Sequence, residues 1–101
     1  MNGWVERLDW ELEAFLYVEY SLAGPQVTNY SVVLTVWEEG RRQTVRVYDA
    51  AHGFNERHRH TAAGGKQAGE RFHAGTLGEG MRAAIDEARR GYREMIEAWR
   101  R

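Results

Sequence analysis

The 101-residue chain has no cysteine, which excludes disulfide bridges and thiolate-held zinc and tilts the expected compartment towards the reducing cytoplasm. No apolar run approaches the roughly 20 residues of a membrane helix. The opening Met1-Asn2-Gly3-Trp4-Val5-Glu6-Arg7 lacks a basic stretch leading into an apolar core, so a cytoplasmic protein without a membrane segment is expected. Net charge is nearly absent too: −1 at neutral pH argues against a protein that coats nucleic acid by bulk attraction. The one proline, Pro25, stands in Ala23-Gly24-Pro25-Gln26 and breaks the chain into a turn, because its ring fixes φ and disfavours helix before it.

What is present suits one globular domain over residues 1–101, with 43% hydrophobic and 29% charged side chains. A domain of ~100 residues hides only about two-thirds of its unfolded surface, so the core is modest and a homodimer is among the expected assemblies. Charge is unevenly placed: residues 1–51 sum to −4 and residues 52–101 to +3. Either the halves pair within the fold, or a basic surface lies beside the histidines.

Residues 2–9 fit a short helical turn through Trp4, Val5 and Leu8, or a loose arm. Residues 10–20 alternate, Trp10, Leu12, Ala14, Leu16, Val18 and Tyr20 against Glu11, Glu13, Phe15, Tyr17 and Glu19, which predicts a half-buried strand. Leu8, Leu12, Phe15 and Leu16 also sit at helical spacing. Residues 29–38 are apolar on both parities, as in a central strand covered on both faces. Glu38-Glu39-Gly40-Arg41-Arg42 predicts a hairpin into residues 43–49, and residues 57–61 make a short fourth strand. Residues 53–80 hold seven of the eleven glycines, so residues 62–75 are expected to be an irregular loop.

A helix over residues 76–101 is the strongest local signal. Thr76-Leu77-Gly78-Glu79 has the form of a capping box. Leu77, Met81, Ala84, Ile85, Ala88, Tyr92, Met95 and Trp99 recur every three or four residues behind it. Gly78, Gly80 and Gly91 each cost up to ~1 kcal/mol of propensity, so packing must hold the helix. Arg89, Arg90, Arg93, Arg100 and Arg101 complement its dipole as a solvated face, or meet RNA. The expected fold is α+β: an antiparallel sheet of about four strands (10–61) with the long C-terminal helix packed across it.

Residues 48–61 hold three of the four histidines and form the candidate site. Residues two apart on a strand share a face, so His58 and His60 lie together while Arg57 and Arg59 take the other side. If the arginines avoid the core, the histidines share the face of Val45 and Val47, and Asp49 joins them; a one-residue slip would substitute Tyr48 and Arg46. His52, followed by Gly53, could close the group. Three uses stand open for Asp49, His52, His58 and His60. The rings could satisfy hydrogen bonds at a sheet end. They could hold zinc, although the Asp-x2-His-x5-His-x-His spacing matches no established metal signature. Or they could transfer protons in RNA cleavage, with a carboxylate orienting one ring and Arg57, Arg59, Lys66, Arg71 and His73 meeting phosphate charge.

Tyr48-Asp49-Ala50-Ala51-His52-Gly53 followed by His58-Arg59-His60 resembles the Tyr-Asp-x-x-His-Gly and His-x-His pattern of small bacterial proteins of unknown function. It is similar, more distantly, to the TumE-like family of toxins in toxin–antitoxin pairs. The resemblance runs over about residues 30–99. It implies an antitoxin partner and an RNA-directed activity carried by Asp49, His52, His58 and His60, with no cofactor. The resemblance supplies no mechanism; the chemistry of the residues leads to the expectation of a small α+β toxin-like protein acting on RNA, with His58 and His60 in acid/base roles and Asp49 orienting one of them. The other class is a non-catalytic protein-interaction module whose histidines are structural or metal-binding.

Overall fold

Alternation in the second strand turns Ala14, Leu16 and Val18 to one side, where each is buried, and leaves Phe15 and Tyr17 half-exposed on the other. The same division runs through a six-stranded antiparallel meander, strand order β1-β2-β3-β4-β5-β6. The computed structural model describes residues 2–101: β1 Asn2–Asp9, β2 Ala14–Ala23, β3 Gln26–Glu38, β4 Arg41–Asp49, β5 Asn55–Thr61, β6 Gly65–His73 and α1 Leu77–Arg100. The class is α+β as expected, with two more strands than the sequence pattern predicts.

Both additions are edge strands. Residues 2–9 are neither a helical turn nor a loose arm but pair with β2 from Asn2↔Tyr20 to Asp9↔Ala14. Residues 65–73, expected in an irregular loop, pair with β5. β6 carries almost no apolar alternation, since backbone bonding to β5 supports it and only Phe72 packs inward, 5.1 Å from the Tyr48 ring. The strand expected from Trp10 starts at Ala14 instead. Asp9 Oδ1 accepts the Leu12 N–H at 2.9 Å, so a local turn takes the backbone donor that a strand would have used.

Thr76 and Glu79 complete both halves of the capping box at the start of α1. The helix lies across one face of the sheet, chiefly over β3. Met81, Ala84, Ile85, Ala88, Met95, Ile96 and Trp99 pack on Ala14, Leu16, Val18, Val32, Leu34, Val36 and Tyr48 in a single core. Asn55 ties the helix start to β5. Its amide donates to the carbonyls of His73, Gly75 and Thr76 at 3.1 to 3.3 Å, while its Oδ1 accepts the Tyr30 hydroxyl at 2.7 Å.

β3 is covered on one face rather than two. Val33 is half-buried and Trp37 is 50% exposed on the side away from α1, where no helix or strand packs among the described residues. Register therefore sorts every strand residue into a helix side or an open side. Among the described residues no helix is long and apolar enough to cross a membrane.

Candidate functional site

The β4–β5 hairpin pairs Val47 with His58 and Asp49 with Glu56, so Asp49 and His58 share a face as the sequence register requires. That face is the open one. Arg57 and Arg59 do not avoid the core as expected but lie on the helix side, opposite Tyr48 and Arg46. Arg57 is 16% exposed there. Its guanidinium bridges Glu87 of α1 at 2.7 Å and Glu70 of β6 at 2.9 Å, and two carboxylates compensate the partial burial of one cation.

The centre of the cluster is Glu56. Its Oε1 lies 2.9 Å from His52 Nδ1 and 3.1 Å from His58 Nε2, so one buried carboxylate oxygen is held between two imidazoles. His58 Nδ1 faces the Gln67 carbonyl at 3.3 Å. Both nitrogens of His58 thus point at acceptors, and the set is complete when the His58–Glu56 contact carries a proton. The His52 hydrogen bond, followed by that of His58, holds the Glu56 carboxyl below its ordinary range against the opposing effect of burial.

Local structure supplies the crossing of these groups. Asp49 Oδ1 accepts the Ala51 N–H at 3.2 Å, and the Gly53 N–H bonds to the Ala50 carbonyl at 3.0 Å, folding the turn that brings His52 back over Glu56. Across the hairpin, Gly69 faces His58 in β6. A Cβ at Gly69 would stand 2.5 Å from His58 Cε1 and 2.6 Å from Glu56 Oε2, so glycine leaves the space that these two side chains fill. The ring of His52 stays outside, its side chain 67% exposed, against 10% for Glu56 and 8% for His58.

The other expected residues divide. Arg71 pairs with Glu56 in register and shares its face, its guanidinium 4.1 Å over the Phe54 ring. Lys66 pairs with His60. Burial, then the charges of Lys66 and His58, push the His60 pKa down, and its Nε2 has no hydrogen-bond partner among the described residues. His73 stands apart, pairing with Asn55 and accepting the Gly75 N–H near the helix start. Glu56 was not among the expected site residues. Extending the Val47–His58 pairing by two positions puts Glu56 opposite Asp49 and would have found it.

Donor atoms of Asp49, Glu56 and His58 lie within 4.8 Å of one another, a set that differs from the all-histidine group with Asp49 expected from spacing. Glu56 Oε1 already meets both imidazoles, so these groups form a hydrogen-bonded set. Comparison with family models, curated proteins and solved structures finds no match to this chain.

Proposed function

We propose that the chain is a small toxin-like protein of a toxin–antitoxin pair that acts on RNA, with His52 moving the proton and Glu56 orienting its ring. The observation that supports this best is an exposed imidazole, 67% accessible, tied through Nδ1 to a buried carboxylate at 2.9 Å. Nε2 is then the free nitrogen, in a ring whose orientation and tautomer are set from behind, the pattern of an oriented general base. His58 is 8% exposed, so its part is to hold Glu56 from the other side rather than to meet substrate. Arg71, on the same face, supplies positive charge for phosphate.

Cleavage by this site passes the 2′-hydroxyl proton to Nε2 as O2′ attacks phosphorus and the P–O5′ bond breaks. The 5′ oxygen takes a proton from water, and His52 returns its own to solvent. Exposure of Trp10 (79%) and Trp37 (50%) favours the competing class, a non-catalytic module that binds a protein partner. Expression in a bacterial host and incubation of purified protein with RNA separate the two. Wild type should arrest growth and cleave, and His52→Ala should lower cleavage by about 10²- to 10⁴-fold while the protein stays folded. Harmless expression with intact RNA rejects the enzyme, and full activity in His52→Ala rejects His52 as its base.

A further inference from the structure

The open face of the sheet is organised in rows. One runs Val5–Tyr17–Val33–Val47–His58–Gly69 across all six strands, and the next runs Arg7–Phe15–Thr35–Thr44. Neither contains a carboxylate. Acidic groups on this face gather in a third row, Glu19–Ser31–Asp49–Glu56, which ends on Arg71. From Tyr17 to His58 is three strand spacings, roughly 14 Å.

Among the described residues, four arginines on the helix side are ion-paired, although Arg46 there is not, and three on the open face are not. Arg57, Arg89, Arg93 and Arg100 on the helix side each meet a carboxylate. Arg7, Arg42 and Arg71 form no ion pair among the described residues and lie instead over aromatic rings: Arg7 at 3.9 Å from the Trp10 ring centre and 4.6 Å from Phe15, Arg42 at 4.7 Å from Tyr17, Arg71 at 4.1 Å from Phe54. A guanidinium stacked on a ring keeps its N–H groups in its own plane, free to meet phosphate. Trp10, 79% exposed, retains ring surface for a base.

We infer that this open face binds single-stranded RNA, bases stacking on its exposed aromatic rings and phosphates meeting Arg7, Arg42 and Arg71, along a track that leads to the His52–Glu56–His58 cluster. The inference rests on the RNA-directed activity proposed above and adds its substrate class. A flat face with stacking rings can use only unpaired bases, because those of a duplex are stacked on one another. Unpaired guanidiniums at both ends of the face suit a polyanion better than the core of a protein interface, from which charge is depleted.

Fluorescence anisotropy of a short labelled mixed-sequence oligoribonucleotide tests it, with the same sequence as a duplex for comparison. Single strands should bind at least tenfold more tightly than duplex. Trp10→Ala and Arg42→Ala should each weaken binding by about tenfold, and Arg42→Ala should flatten the salt dependence. Arg90→Ala, on the helix surface and paired with Asp86, should bind as wild type. Equal binding of duplex, or equal loss in Arg90→Ala and Arg42→Ala, overturns the track. So does a dimer in light scattering that Trp10→Ala dissolves, since the face would then belong to a second copy. Cleavage by a wild type whose Trp10→Ala and Arg42→Ala variants bind RNA unchanged leaves the enzyme and removes the track. Tight single-strand binding with no cleavage leaves the track and removes the enzyme.

Discussion

Gly80 of α1 stands directly against the side chain of Asn55 in β5, where a Cβ would come within 1.9 Å of Asn55 Oδ1 and 2.1 Å of its Cγ. Asn55 is 2% exposed and fixed by its bonds to Tyr30, His73, Gly75 and Thr76, so it cannot move aside cheaply. Helix and sheet meet through a glycine for this reason. In Gly80→Ala the propensity gain of up to ~1 kcal/mol is outweighed by overpacking. Urea unfolding should show a net loss of about 2 kcal/mol. At Gly91 the nearest atom to an added Cβ is the flexible Met95 Cε at 3.2 Å, and Gly91→Ala should raise stability by a few tenths of a kcal/mol up to about 1.

Arg57→Ala should lower stability without acting on RNA chemistry. The substitution leaves Glu87 with only the Tyr48 hydroxyl and Glu70 with only Arg59, and uncovers the Phe72 ring, 5.9 Å from the guanidinium. Because both carboxylates keep some solvent, the loss expected in urea is about 1 to 2 kcal/mol rather than that of a fully buried pair. Cleavage per folded molecule should match wild type. A selective loss of RNA binding would restore the phosphate role that its sequence position suggested.

Gly69→Ala should disorganise the cluster from behind. The added methyl meets His58 Cε1 and Glu56 Oε2 within 2.6 Å, so both side chains must shift and the Glu56 contact with His52 is expected to break. A stability cost of about 1 to 3 kcal/mol is expected, together with loss of cleavage. Imidazole nitrogen resonances in solution NMR should report the broken His52–Glu56 contact, whereas unchanged His52 signals would reject the packing role given to this glycine.

Acid should unfold the protein through the carboxylates that folding holds ionised, Glu56 of the cluster and several outside it. The Asp9 carboxyl is held below its ordinary value by the Leu12 N–H first, then by the Tyr92 hydroxyl and Arg93. Glu79 is held down by the Thr76 backbone N–H and hydroxyl, and Glu6 by Arg89. Each binds its proton more weakly folded than unfolded, so its stabilisation is fully present above the unfolded value, about 4, and disappears as pH falls through the lower folded value. The melting temperature should therefore drop steeply below about pH 4. Asp9→Asn should make that acid limb shallower, and an unaltered limb would remove Asp9 from the account.

The C-terminal helix was legible because its signals are local. The Thr76–Glu79 box closes within one turn, and the apolar stripe needs only the helical period to be read. The Val47–His58 pairing was one of two registers legible for a related reason, since a hairpin links strands that are near in sequence; in that register parity carries Asp49 to the same face. The site was read incompletely because Glu56 looked like an ordinary surface acid until its cross-strand partner was known.

The sequence alone determined the capped helix and the alternating strands, both consequences of short-range periodicity, and left the grouping of Asp49 with His58 to a register that only strand pairing fixed. Only the tertiary structure decided which face α1 covers, and with it the partners of Arg57, Arg7 and Arg42. Arg57 turned inward because Glu87 and Glu70 wait there, and Arg7 and Arg42 stayed on the open side, stacked on rings. Edge strands β1 and β6 were also tertiary decisions, since backbone hydrogen bonds to a neighbour hold a strand whether or not its side chains announce one.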